Sequence, residues 1–169
     1  VGLTAWQALV EVAKLQKGQK VFIQAGSGGV GTFAIQLAKH LGATVATTTS
    51  TTNVALVKRL GADVVIDYKT QDFEDVLRDY DVVLHSQDSK ALEKSLRVLK
   101  RGGKLVSISG PADPAFGQQI GAPALVKFII RLLSAGVRRR ARALGIDFSF
   151  LFMKANGSQL GEITRLIEA

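Results

Sequence analysis

The chain has 169 residues, of which 47% are hydrophobic and 21% are charged; this composition predicts one globular domain with a buried core and excludes a disordered chain. It contains no cysteine, which excludes disulfide frameworks, thiolate zinc sites and cysteine nucleophiles and favours a reducing compartment. The net charge of +8 indicates an anionic partner, with nucleic acid, an acidic membrane surface and a phosphorylated small molecule as the three candidates.

The distribution of the charge decides among these candidates. Much of it lies in GVRRRARALG, residues 136–145, and this run lacks the aromatic residues that single-stranded nucleic-acid readers place among basic ones. The N-terminus has no signal-peptide pattern. The most apolar segment, residues 123–137, is broken by Lys127 and Arg131 and is too short to cross a bilayer. We therefore expect a cytoplasmic protein with no nucleic-acid and no membrane partner.

Apolar segments of strand length alternate with segments of helical period along the chain. The first strand, VFIQA (21–25), precedes the helical GVGTFAIQLAKHLG; TVATTT (44–49) precedes NVALVKRLG; and DVVID (63–67) precedes a short helical DFEDVLRDY. DVVLHS (81–86) precedes KALEKSLRVLKRGG, KLVSIS (104–109) precedes the long APALVKFIIRLLSAGVRRRARALG, and DFSFLFM (147–153) is the last strand. Strands that are apolar on both faces belong in a parallel sheet covered by helices. The predicted fold is an α/β Rossmann fold, a doubly wound six-stranded parallel sheet with helices on both faces.

The least regular region is GPADPAFGQQIGAP, residues 110–123, which directly follows the fifth strand. Ligands of such sheets bind outside the carboxyl ends of the strands. This segment is a candidate lid or nicotinamide-side loop, and a simple surface connection is the alternative.

A glycine-rich turn joins the first strand to the first long helix. Gly26, Gly28 and Gly31 form a G-x-G-x-x-G pattern in the strand–turn–helix setting that dinucleotide binding requires. Gly26 is expected to allow the tight turn, Gly28 the approach of a diphosphate and Gly31 close packing of helix on strand. The helix start is expected to bind the pyrophosphate through backbone N–H groups. The candidate residues of this loop are Gly26, Ser27, Gly28, Gly29, Val30 and Gly31.

The end of the second strand indicates which dinucleotide is bound. An NAD site usually has an acid there for the ribose hydroxyls, but no Asp or Glu occurs between Gly42 and Asp63. The candidate side chains are uncharged: Thr49, Ser50, Thr51 and Asn53. The sequence therefore favours NADP(H) over NAD(H), although a 2′-phosphate is usually met by an Arg or Lys, and Lys58 and Arg59 are expected to face solvent.

Three segments then give the sequence a family resemblance: AGSGGVGTFAIQLAKHLGATV, LVKRLGADVVIDYKTQDF and LEKSLRVLKRGGKLVSISG. They resemble the cofactor domain of the medium-chain dehydrogenase/reductase superfamily, and within it the zinc-independent quinone oxidoreductase and enone reductase branch. The similarity extends over essentially the whole chain, which starts without an initiator methionine. It implies that residues 1–169 are one dinucleotide-binding domain excised from a two-domain enzyme, with a GroES-like catalytic domain absent.

The resemblance also implies roles for individual residues. Ser50 and Tyr68 match positions around the 2′-phosphate, with packing at the core edge as the alternative for Tyr68, and Asn53 stands where the family has a lysine. His85 and Ser86 would lie near the nicotinamide ribose, with a proton relay or a local hydrogen bond as the two interpretations of His85. The residues implied to flank the nicotinamide are Ser109, Gly110, Phe150, Leu151 and Phe152, and a plain buried strand is the alternative for the last three.

The leading hypothesis is an NADPH-dependent oxidoreductase that transfers hydride between nicotinamide and a quinone, enone or related carbonyl compound. Catalytic residues are unknown and no metal ligand is assigned. The expected partner is a small-molecule substrate, with a homodimer through the sheet edge. The rival from another class is a non-catalytic NADPH-binding regulatory module that uses the VRRRAR run and the apolar KFIIRLL segment as a partner surface. A short-chain dehydrogenase is disfavoured because no YxxxK occurs, and a methyltransferase because the acid after the second strand is missing.

Overall fold

A computed structural model describes residues 1–110, 112, 114–119 and 121–168. Within these ranges one sheet of six parallel strands is present, in the order β3-β2-β1-β4-β5-β6. The strands are β1 (Lys20–Ile23), β2 (Thr44–Thr49), β3 (Val64–Asp67), β4 (Tyr80–His85), β5 (Leu99–Ser107) and β6 (Asp147–Phe150). The order reverses between β1 and β4, as in a Rossmann fold. The predicted fold class is confirmed.

Helices connect the strands and cover both faces of the sheet. They are α1 (Gly2–Trp6), continued by a π-helical segment (Gln7–Val12), α2 (Gly29–His40), a 3₁₀ turn (Thr51–Asn53) with α3 (Val54–Arg59), α4 (Phe73–Val76), α5 (Ser89–Val98), α6 (Pro114–Gln119), α7 (Ala124–Ala143) and α8 (Gly157–Glu168). The helix predicted to continue to Gly103 ends at Val98, and β5 begins at once. The region predicted as an irregular loop contains α6; its residues Pro111, Asp113 and Ile120 lie outside the described part.

The core has two halves, one on each face of the sheet. Val21 and Ile23 pack with α1 and α2 on one face, whereas Phe22 points to the other face toward α4, α5 and α7. This alternation along β1 follows from the two-residue period of a strand. Because both faces are covered, consecutive residues in the middle of the two central strands are apolar, as in residues 21–23 of β1 and residues 82–84 of β4.

Gln7 joins the two ends of the described chain. Its Nε2 donates to the Lys154 carbonyl oxygen and to Gln159 Oε1, each at 2.8 Å, and its Oε1 accepts from the Lys154 backbone N–H at 3.0 Å. Gln7 is buried, so these bonds satisfy an amide that would otherwise be costly to remove from water. The first and last helical segments are thereby attached to one another.

Helix α7 packs on the sheet through its C-terminal half only. Ser134 and Ala141 are buried, whereas the N-terminal half exposes large apolar side chains. These are Leu125, Val126, Phe128, Ile129, Leu132 and Leu133. In the part of the chain that the structure describes, no helix combines the length and apolarity needed to span a membrane.

Candidate functional site

The turn between β1 and α2 is the centre of the candidate site. The residue with a left-handed conformation is Ala25 (φ 52°). Gly26 lies inside the turn as expected, but a positive φ is not the reason for a glycine there. The Gly28 N–H donates to the Ala25 carbonyl at 2.9 Å and the Gly26 N–H donates to the Thr48 carbonyl at 2.9 Å. These bonds close the loop onto β2. Gly28 is the residue immediately before α2, and its backbone is extended.

The glycines are required by close backbone approach. A Cβ on Gly31 would lie 2.3 Å from the Ala25 carbonyl oxygen and 2.7 Å from Gly26 Cα. A Cβ on Gly26 would lie 2.1 Å from Thr47 Oγ1, which is held by a 2.6 Å hydrogen bond to the Ile23 carbonyl. Gly31 therefore allows helix and loop to pack closely, as expected from the sequence. Gly26 leaves room for the Thr47 side chain of β2.

The amino end of α2 presents an open surface above this packed base. Gly28 and Gly29 are exposed and Val30 is half-buried, and the first N–H groups of a helix have no acceptor within it. The helix dipole adds partial positive charge at the same place. The residues present can therefore hold a phosphate group through backbone N–H donors, since neither Gly28 nor Gly29 has a side chain of its own.

Four predicted site residues form one connected group, which we call the polar ring: Ser27, Thr49, Ser50 and Asn53. Ser27 Oγ accepts from Thr49 Oγ1 at 2.9 Å and from Asn53 Nδ2 at 3.3 Å. Asn53 Nδ2 also donates to Ser50 Oγ at 3.3 Å. All four side chains are uncharged, so hydroxyl and amide groups connect the glycine loop to the end of β2.

An acid outside the predicted set of site residues lies beside the neighbouring turn, which contains Thr51. Asp67, at the end of β3, accepts a short hydrogen bond from Thr51 Oγ1 and one of 3.0 Å from the Lys69 N–H. The Thr51 hydroxyl and the Lys69 N–H hold the pKa of this carboxyl below its usual range. Strand pairing brings Asp67 opposite Thr49, and only the tertiary fold could show this.

A cleft of about 350 Å³ opens beside the loop at the carboxyl ends of β1, β2 and β4. Its walls include Ala25, Thr48, Tyr68, Gln87, Asp88 and Ala91. Tyr68 is 62% exposed, so its ring is not packed in the core. The topological switch point between β1 and β4 is where doubly wound sheets bind ligands.

His85 lies inside the protein and not on the wall of this cleft. The residue has no solvent exposure, and among the described residues neither ring nitrogen has a partner within ordinary hydrogen-bond distance and angle. Burial lowers the pKa of His85 to about 4, while Asp88 and the Gln87 backbone act in the opposite direction. A fully buried side chain presents no surface to a ligand, so the expected cofactor contact of His85 and its proton-relay interpretation are wrong. Of the local hydrogen bond, only the interaction with the Gln87 backbone that opposes the pKa shift remains.

The remaining predicted residues lie at the ends of β5 and β6. Ser109 Oγ donates to the Gln87 carbonyl at 2.8 Å, and the Leu151 N–H donates to the Ser107 carbonyl at 2.8 Å. Phe116 of α6 packs its ring centroid 5.5 Å from that of Phe150 and 5.3 Å from that of Phe152. The loop after β5 thus returns to the end of β6 and forms an aromatic cluster of Phe116, Phe150 and Phe152.

Among the described residues, no group of three or more His, Asp or Glu side chains could hold a metal ion. The chain also has no cysteine, which is the usual thiolate ligand of zinc. The residues present do not fit a zinc site.

Residues 60–169 match the sequence pattern of the family described as zinc-binding dehydrogenase. The chain belongs to this family. The resemblance to the medium-chain dehydrogenase/reductase superfamily, in its enone reductase-like branch, is thereby confirmed. The family name refers to zinc, but the described part of this member does not provide a site for it.

Relatives of this zinc-binding dehydrogenase family member include two plant enzymes and one solved structure. Over 113 residues it is 43% identical to 2-methylene-furan-3-one reductase of Solanum lycopersicum and 42% identical to the chloroplastic NADPH-dependent alkenal/one oxidoreductase of Arabidopsis thaliana. Each match covers 66% of this chain and 28% of the relative. The quinone oxidoreductase of Coxiella burnetii superposes with a TM-score of 0.78 at 32% identity, covering 98% of this chain and 46% of that one. The chain therefore spans less than half of the length of these relatives.

Proposed function

We propose that this chain is the NADP(H)-binding domain of an oxidoreductase that reduces an enone, a quinone or a related carbonyl compound. The observation that carries the proposal is the glycine loop: Gly31 is packed against the Ala25 carbonyl, and the amino end of α2 is left open for a diphosphate. The relatives named as an alkenal/one oxidoreductase, a furanone reductase and a quinone oxidoreductase support the substrate class. A non-catalytic module has no support among them.

Preference for the phosphorylated cofactor rests on the polar ring. Ser27 Oγ already accepts two hydrogen bonds, so its own proton is available to an acceptor such as a phosphate oxygen. Ser50 and Asn53 provide further neutral donors beside it. Asp67 lies near this turn, and the hydrogen bonds from Thr51 and the Lys69 N–H keep it ionised, so the neutral donors must outweigh its repulsion of a 2′-phosphate. The NADPH dependence of the Arabidopsis thaliana relative is consistent with this preference.

The bound nicotinamide would supply the hydride; the residues of this chain bind and orient the cofactor. The N–H groups of Gly29, Val30 and Gly31 would hold the pyrophosphate at the start of α2. The aromatic cluster of Phe116, Phe150 and Phe152 would shield the nicotinamide end from water. Contacts to the substrate and any proton donor would come from the part of a longer protein that corresponds to the rest of its relatives.

We also propose that this protein forms a homodimer through β6. This strand is the last in the sheet order and pairs on one side with β5. An exposed strand edge can pair with the same edge of a second copy about a two-fold axis. Sedimentation analysis of the chain would decide this point, since a monomer at high concentration would refute it.

The test of the proposed function is a titration of the chain with NADPH and, separately, with NADH, followed by nicotinamide fluorescence. We expect tighter binding of NADPH. Asn53→Lys restores the cation that the family has at this position and should raise the preference for NADPH about tenfold, the worth of one charge-assisted hydrogen bond. Gln36→Lys adds the same charge on the exposed face of α2 and should leave the preference unchanged. The proposal would be contradicted if neither cofactor bound, or if both lysine variants changed the preference equally.

A further inference from the structure

Gln24 is a polar residue at the end of an apolar strand, and it is almost completely buried, with 2% of its surface exposed. Its Nε2 donates to Ser95 Oγ at 2.9 Å, and its Oε1 accepts from the Ser86 backbone N–H at 3.2 Å. The Ser86 hydroxyl also donates to the Gln24 carbonyl at 3.4 Å. One side chain therefore connects the end of β1 with the turn after β4 and with helix α5.

These contacts continue to the wall of the cleft. Ser95 is fully buried and donates to the Ala91 carbonyl at 2.7 Å. The Ala91 N–H donates to the Asp88 carboxylate at 2.8 Å. Ala91 and Asp88 both line the cleft, as do Gln24 itself and the next residue, Ala25. The two sides of the cleft are thus joined at its floor through the Gln24 carboxamide.

Core packing alone does not account for a glutamine at this position. Burial of an amide costs free energy unless its hydrogen bonds are made, and an apolar side chain of similar size would avoid that cost. Phe22, which is two residues earlier and points to the same face of the sheet, is an ordinary apolar core residue. The polar side chain appears where β1 reaches the cleft. This position indicates that the glutamine maintains the shape of the cleft.

We propose that Gln24 is a positioning residue that sets the separation between the glycine loop and the β4–α5 turn, and thereby the affinity for the dinucleotide. It acts through Ser86 and Ser95. The inference rests on the proposed function, because it assumes that the cleft binds NADPH. It goes further by assigning a role in binding to a nearly buried residue at the floor of the cleft.

The first test compares NADPH affinity by isothermal titration calorimetry for the unaltered chain, Gln24→Met and Ser95→Ala. Methionine keeps the length of the side chain but cannot accept from the Ser86 N–H as an amide does, and the Ser95 variant removes the partner on α5 without altering Gln24. We expect each variant to bind NADPH about tenfold more weakly, as for the loss of one or two buried hydrogen bonds. Gln36→Met, on the exposed face of α2, is the matched control and should bind like the unaltered chain.

A purely structural role would lower the melting temperature and leave the affinity unchanged, because well below that temperature nearly all molecules are folded. NADPH binding by Gln24→Met and Ser95→Ala within twofold of the unaltered chain would therefore overturn the proposal. If the unaltered chain binds no NADPH, the proposed function fails and this inference fails with it. If it binds and the variants do not weaken, only the inference fails.

Discussion

The buried imidazole of His85 should make the stability of this protein sensitive to mild acid. The residue is fully buried and neither ring nitrogen has a partner of ordinary hydrogen-bond geometry among the described residues, so Asp88 and the Gln87 backbone compensate only in part for the hydration that the charged form loses. Burial lowers the pKa of His85 from its ordinary value of 6.5 to about 4. The unfolded chain therefore binds more protons than the folded protein between these two values. Stability is fully retained above about pH 6.5 and is lost as the pH falls toward 4.

The size of this effect follows from the shift in pKa. Each unit of difference corresponds to about 1.4 kcal/mol, so the complete loss below pH 4 is about 3 kcal/mol and the loss at pH 5 is about 2 kcal/mol. Carboxylates with lowered pKa values do not interfere in this range. Asp63 and Asp81, for which hydrogen bonds outweigh partial burial, start from an ordinary value of 3.8, and their contribution is lost at lower pH.

The assay is urea unfolding at pH 7 and pH 5, comparing the unaltered chain with His85→Leu. Leucine removes the titrating group and is compatible with the apolar face of β4 that Val83 shares. We expect the unaltered chain to lose about 2 kcal/mol between the two pH values and the variant to lose much less. His40→Gln, at the exposed histidine of α2, should behave like the unaltered chain. Should His85→Leu fold poorly, His85→Asn serves the same purpose. Equal losses in the unaltered chain and in the His85 variant would refute the reasoning.

Three further substitutions, two of them with a control variant, test the loop, the polar ring and the joined chain ends. Gly31→Ala places a methyl group against the backbone of the glycine loop and should weaken NADPH binding more than tenfold by calorimetry, whereas Gly161→Ala, in open space on α8, should stabilise the fold by up to about 1 kcal/mol. Ser27→Ala removes the acceptor of two hydrogen bonds and should weaken NADPH binding about tenfold. As a control, Thr52→Ala removes a hydrogen bond to the Ser50 hydroxyl and should change NADPH binding less than threefold. Gln7→Leu leaves backbone groups beyond β6 unpaired and should lower the free energy of unfolding in urea by about 1–3 kcal/mol, and no loss would show that this link is dispensable.

The fold and the polar ring could be predicted because both depend on local sequence. Strands that are apolar on both faces require a parallel sheet, and the carboxyl ends of neighbouring parallel strands meet at one edge. Ser27 follows β1, and Ser50 and Asn53 follow β2, so their proximity was implied once the strands were placed. The hydrogen bonds among them extend this prediction but do not alter it.

The features that were missed depend on side-chain direction and on contacts between distant segments. His85 was expected at the nicotinamide end because of its place in the chain. It shares a face of β4 with Val83, which is two residues earlier and lies in the core, so the two-residue period already indicated burial. No sequence pattern predicts the hydrogen bond between Thr51 and Asp67, because these residues are 16 positions apart. The contact of Phe116 with the end of β6 likewise required α6, a helix within a segment that has no clear period.

The net charge of this protein and its hydrogen-bond donors affect different aspects of binding: the rate of encounter and the choice of ligand. The net charge of +8 is not concentrated at the cleft: Lys94, on its wall, is paired with Asp72 at 2.8 Å and Glu74 at 3.2 Å. The surplus lies elsewhere, much of it in residues 136–145. A positive field of this kind attracts any anion and accelerates encounter without distinguishing one dinucleotide from another. Under the proposed function, discrimination would therefore come from short-range contacts such as those of the uncharged donors of the polar ring.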